Sequence, residues 1–373
     1  MTSISGVRVG AAVRGMPPGY FALVMATGII SVGMNLIGVQ TLSFVLMVVC
    51  AAAYVILVAL TGWRFVAYRS AFLADMHDPH RGFQFFTFVA GTNVLAARLA
   101  IEGWFGTATV LLGVSGITWL LLGYALPWFA VLGRSERPVL NAANGTWFIW
   151  VVASQSVAVV AASLEPVAGD ARALLAVLAI LSWSVGIFLY GAAGVFVSLR
   201  LVLYEIRPEQ LDPPYWVSMG ACAITVLAGA RIVEMADAPM VTATRGLVAG
   251  VSVMFWAFAT WLIPVLIAVG YWRHVKHRVP LRYEATLWSI AFPVGMYAVA
   301  GIYLGQADDL PLVGRIGTVA LWVALVVWLA IFTAMLRQPL KAGGPLRGAP
   351  DQLHLAAESA VSDEPTVTDG SRK

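Results

Sequence analysis

Arg98 and Glu102 stand four residues apart in one long apolar run, and Arg231 and Glu234 stand three apart in another. On a helix either spacing puts the pair on one face, so each arginine can neutralise its own carboxylate. The alternative is ligand chemistry, because a guanidinium offers a planar fork of donors that grips a carboxylate or other anion at two points. No Asp, Glu or His lies in the middle of any apolar run, so the groups that would carry a proton there are missing. The spacings His77–His80 and His274–His277 fall in basic segments between runs and have no further ligand close in sequence. They read as solvated residues rather than as a metal site. Cys50 and Cys222 both fall inside apolar runs, which argues for packing and against a disulfide framework or a thiolate metal site. Neither a metal nor an organic cofactor is expected, and an enzyme is disfavoured.

The elements that must position these residues are membrane spans. Of 373 residues, 60% are hydrophobic and 11% charged, against about 25% charged in ordinary globular chains. Apolar stretches of spanning length occur near 18–39, 41–61, 83–101, 107–132, 144–163, 171–199, 215–236, 246–272, 283–305 and 312–336. The expected fold is an all-α integral membrane protein of ten helices in five hairpins, occupying residues 17–337 as one domain. Short or acidic connections alternate with longer basic ones, and 18 of the 23 Lys and Arg fall on the side shared by both termini. The positive-inside rule therefore puts both termini in the cytoplasm, and the plasma membrane is the expected location. The net charge of +4 is explained by this topology and calls for no nucleic-acid partner. Residues 1–16 carry no apolar core for a cleavable signal, so the first span is expected to direct insertion. Residues 338–373, rich in Gly, Pro, Ser and Asp, read as a disordered cytoplasmic tail.

The odd-numbered spans share a pattern. Aligned on an aromatic start they read YFALVMATG (20–28), FFTFVAGTN (85–93), WFIWVVASQ (147–155), YWVSMGACA (215–223) and LWSIAFPVG (287–295). Small or polar residues recur at the eighth and ninth columns: Thr27, Gly28, Thr92, Asn93, Ser154, Gln155, Cys222 and Gly295. Such residues either line an axial space between five inner helices, with hydroxyl and amide dipoles facing a passing ion, or serve as close-packing glue between helices. The sixth column reads Met25, Ala90, Val152, Gly220 and Phe292, so one helix alone offers an aromatic plug. Pro293 follows it, and the missing N–H is expected to kink that helix at Ser289. Gly295 and Met296 leave clearance and a soft surface beside the phenylalanine.

The motifs PPGYFALVMATGI (17–29), GTWFIWVVASQSVAV (145–159), PPYWVSMGACAITVLAGA (213–230) and FPVGMYAV (292–299) resemble the tellurite-resistance/C4-dicarboxylate transporter (TDT) family. That family also holds plant slow anion channels and fungal malate and sulfite transporters, and the similarity runs from about Met16 to Arg337. The resemblance implies a pseudo-fivefold ring of odd-numbered helices around a central pore, a homotrimer with one pore per subunit, and Phe292 projecting into the pore as a gate. It implies small inorganic anions or dicarboxylates as cargo. Two mechanisms stay open: a conduit opened when Phe292 swings aside, or a secondary carrier for C4-dicarboxylates, sulfite or tellurite that alternates access. In either, Arg98 and Arg231 are candidates for an outer anion vestibule.

Overall fold

The computed structural model describes residues 9–133, 138–236 and 239–337. It is helical, with no β-strand among the described residues. Ten segments are long and apolar enough to cross a membrane: α1 Pro18–Leu36, α2 Gln40–Ala67, α3 Gly82–Ile101, α4 Phe105–Ala130, α5 Gly145–Val167, α6 Gly169–Leu203, α7 Pro213–Val233, α8 Pro239–Lys276, α9 Ala285–Ala307 and α10 Pro311–Arg337. All ten expected spans are present. Several outer helices run further than hydropathy alone indicated, because arginine at a helix end can bury its stem while its head finds a partner. Arg64 of α2 and Arg200 of α6 do so: their Nε atoms donate to the carbonyls of Arg14 at 3.0 Å and Asn141 at 2.9 Å. A short helix, Arg69–His77, lies in the connection after α2. The expected tails fall mostly outside the described residues, residues 338–373 entirely so.

The odd and even spans differ in kind. In each odd span 72–83% of the most apolar window is buried within the protein, against 11–33% in the even spans. A helix apolar all round has no soluble side to show, so burial is decided by neighbours and the remaining faces are left to lipid. The odd spans pack on one another in a closed cycle, α1–α3–α5–α7–α9–α1. Every even span packs on the odd span before it and, more lightly, on the odd span after it, with α10 returning to α1.

Small residues permit the closest crossings, since no hydrophobic force draws helices together within lipid. A Cβ on Gly305 would sit 2.7 Å from the Cα of Gly314, which locks α9 to α10. A Cβ on Gly220 would sit 2.9 Å from Cγ of Pro293, which sets α7 against α9. The helix of α9 runs from Trp288 to Ala307 through Pro293. Pro293 stands in only the second turn, and the helix continues on the bonds of the residues around it.

Candidate functional site

A cavity of about 280 Å³ lies within the ring of odd spans. Every odd span contributes to its wall, and the tenth alignment column does so in all five: Ile29, Val94, Ser156, Ile224 and Met296. The thirteenth column adds Val32, Ala97, Val159 and Leu227, and the seventeenth adds Ile101, Ser163, Arg231 and Tyr303. Steps of three and four residues keep to one helical face, so one stripe on each odd span faces this space. The wall is largely apolar. Asn93, Ser156, Ser163, Arg231 and Tyr303 are its polar members.

Phe292 lies one turn before Met296, about 6 Å back along the same face. It is buried, 1% exposed, and is outside the cavity lining. Met25, Ala90 and Val152, at the same alignment column on other odd spans, are also buried.

At the other end Arg231 donates to Glu234 at 2.7 Å and sits over the Tyr303 ring at 5.4 Å. Its side chain keeps 26% exposure, so the guanidinium is wetted as well as paired.

The sequence matches the SLAC1 family, described as voltage-dependent anion channels, over residues 15–336. The chain belongs to that family. An uncharacterized membrane protein of Mycobacterium tuberculosis is 64% identical over 149 residues, 40% of this chain and 76% of the relative. An uncharacterized transporter of Methanocaldococcus jannaschii is 24% identical over 328 residues, 85% of this chain and 91% of the relative. A second uncharacterized transporter of that organism is 22% identical over 330 residues, 85% of this chain and 93% of the relative. Family and relatives together support a multi-pass membrane anion transporter and point away from an enzyme.

Within this SLAC1 chain the expected site residues divide. Asn93, Met296 and Arg231 line the cavity. The eighth column turns away from it, towards the outer helices. Thr27 Oγ1 accepts from Trp328 Nε1 of α10 at 2.9 Å, and Ser154 Oγ accepts from Trp119 Nε1 of α4 at 2.8 Å. Thr92 Oγ1 lies 3.1 Å from the Tyr54 hydroxyl of α2, and Cys222 lies against Tyr190 of α6. Gln155 donates to the Trp183 carbonyl of α6 at 3.1 Å. The physical reason is that a buried indole N–H or phenol needs an acceptor, and the small polar column supplies one. Gly28 and Gly295 are packing glycines instead. A Cβ at Gly28 would come within 2.6 Å of Val94 Cγ1, and one at Gly295 within 3.0 Å of Ile29 Cγ2.

Arg98 is likewise placed away from the cavity. Its side chain is 1% exposed; Nε donates to Ser31 Oγ at 2.8 Å, Nη2 to Ser43 Oγ at 2.9 Å, and Nη1 pairs with Glu102 at 2.7 Å. It fastens α3 to the α1–α2 hairpin. Among the described residues no group of three or more metal-ligating side chains gathers, and the His77 and His274 rings are engaged by the carbonyls of Leu73 and Val279. Sequence reasoning passed over Ser156 and Tyr303; the signal for both was the helical stripe continued beyond the ninth column.

Proposed function

We propose that this protein conducts small anions along the axis of the odd-span ring, and that Phe292, positioned by Pro293, closes the path in the conformation described. The observation that carries this reading is the shared stripe: one residue of each odd span meets the cavity at the same alignment column, and the aromatic side chain stands one turn below it. Arg231 serves as the outer attractor for the anion, since a partly wetted guanidinium concentrates negative charge without holding it permanently. The plasma membrane, cytoplasmic termini and a homotrimeric assembly belong to the same proposal, resting on the charge asymmetry for the first two and on likeness to the family for the third.

The test is anion efflux from proteoliposomes. Phe292→Ala is expected to raise chloride flux at least tenfold while the protein stays monodisperse, because it deletes a plug. Unchanged flux with reduced thermal stability would make Phe292 an ordinary core residue. A second reading, a carrier for C4-dicarboxylates, draws on the cavity volume, which exceeds what one halide needs. Saturable malate uptake that stops without a gradient, with no chloride flux in either protein, would favour that carrier.

A further inference from the structure

We infer that the inner end of the cavity is a second anion station, built on the amide of Asn93 and oriented from behind by Ser115. The inference rests on the proposed conduction path and names where in it the ion pauses. Asn93 lines the cavity and is 1% exposed. Its amide is held from both sides: Ser115 Oγ of α4 donates to Oδ1 at 2.6 Å, and Nδ2 donates to Ser156 Oγ of α5 at 2.9 Å. These lengths suit that orientation of the amide. A separation of 2.6 Å suits O–H···O and is short for N–H···O, whereas 2.9 Å is the usual N–H···O length. Ser156 agrees with this assignment, since its own hydrogen goes to the Ala153 carbonyl at 2.7 Å and its oxygen is left to accept, while the Ser115 hydroxyl lies closer to Asn93 Oδ1 than to the Leu112 carbonyl at 3.1 Å.

An amide nitrogen carries two hydrogens. One is spent on Ser156, and among the described residues no hydrogen bond takes the other. A donor held in fixed orientation at the wall of an apolar cavity stabilises a negative ion without reorganisation, and the low local polarity strengthens it. Being neutral, it releases the ion again, as conduction requires.

The station is separated from the outer attractor along the path. Ser156 beside Asn93 and Ser163 at the level of Arg231 are seven residues apart on α5, which is about 10 Å along the axis. Between them the wall is Val32, Ala97, Val159 and Leu227. Two stations with an apolar belt between them hand a small anion from Arg231 to Asn93. Asn93 is therefore a binding residue, and Ser115, which does not reach the cavity, is a positioning residue.

The experiment measures chloride and nitrate efflux from proteoliposomes of the full chain in a Phe292→Ala background, with thermal unfolding of each variant recorded alongside. Asn93→Leu removes the donor and is expected to lower both fluxes about tenfold, the equivalent of one lost hydrogen bond near 1.4 kcal/mol. Asn93→Asp, nearly isosteric, is expected to lower them further by putting a carboxylate at the station. Ser115→Ala is expected to lower flux three- to tenfold by letting the amide turn, and Ser115→Thr, which keeps the hydroxyl, to restore most of it. Folded Asn93→Leu and Asn93→Asp proteins with parental flux would overturn the station. Should both Asn93 variants fail to fold, Ser115→Ala with parental flux would overturn it equally. Absence of anion flux from every protein, the parent included, would instead remove the conduction reading on which the station stands.

Discussion

Replacing Arg98 by glutamine separates the two arginines that sequence alone made equivalent. Arg98 makes two hydrogen bonds to serine hydroxyls at 2.8 and 2.9 Å and one ion pair at 2.7 Å, all from a guanidinium 1% exposed. Ser31 and Ser43 also bond each other's carbonyls at 2.7 Å, so their hydroxyl hydrogens stay satisfied when the arginine is gone. Glu102, 36% exposed at its side chain, regains water and adds little to the cost. What is lost is two hydrogen bonds from a charged donor, each worth about 1.5–3 kcal/mol, hence roughly 3–6 kcal/mol together. At a few degrees per kcal/mol for a domain of this size, the midpoint of thermal unfolding in detergent should fall by roughly 5–15 °C. Arg231→Gln removes one partly wetted pair, worth at most about 1 kcal/mol, so its midpoint should barely move while anion flux falls. The assay is thermal unfolding and efflux on the same preparations. An Arg98→Gln protein that melts like the parent yet loses anion-over-cation selectivity would refute the reasoning, because the charge would then act on the ion and not on the α1–α2 hairpin.

Two further outcomes follow from geometry outside the cavity wall. Gly220→Ala drives a methyl to 2.9 Å from Pro293 Cγ and 3.0 Å from its Cβ, so α7 and α9 must part. A loss of about 1–3 kcal/mol is expected in thermal unfolding, whereas Gly113→Ala, with nothing within 4 Å, should cost nothing. Asp212 stands just before α7; its Oδ1 is buried without a hydrogen-bond partner, and burial pushes its carboxyl from 3.8 up to about 7 despite the Arg273 and Arg200 charges, with Glu284 adding to the rise. Tyr215, which takes a hydrogen bond from Arg200, completes the charged and titratable groups around it. Because the fold prefers the neutral acid, the stability it contributes is complete below about pH 4 and lost as pH rises towards 7. The unfolding midpoint of the parent, measured against Asp212→Asn, should therefore fall across that window; parallel curves would show that Asp212 titrates normally.

The ten spans were legible because apolar length is a one-dimensional property, and within lipid a helix is the way a single segment satisfies its own backbone. The division into inner and outer helices was legible too, through the aromatic starts shared by residues 20, 85, 147 and 215 and their neighbours. Pro293 has counterparts in other spans. Pro127 and Pro264 also lie inside helices, α4 and α8, so a proline in a span does not by itself mark a break or a gate. What distinguishes Pro293 is its contact with Gly220, and that lies on another helix, where sequence order gives no hint of it.

The displaced site residues share one cause, the phase of the helix. Columns eight and ten are two residues apart, about 200° around the axis, so a stripe assigned to one of them lands on nearly the opposite face when the other is meant. Thr27, Thr92 and Ser154 looked like a pore wall because polar side chains are costly inside a membrane and so invite a functional reading. Their partners resolve the matter. Trp328, Tyr54 and Trp119 each bring a polar hydrogen or hydroxyl into the bundle from an outer helix, and each must be met there. The outer helices thus impose the polar column on the inner ones, and the cavity falls to the face left over. That face is apolar in Ile29, Val94, Ile224 and Met296. Its few polar groups are Asn93 and Ser156 at one level and Ser163, Arg231 and Tyr303 at the other. Under the proposed conduction path, such a wall would attract an ion at two heights and hold it at neither, which is the condition for passage.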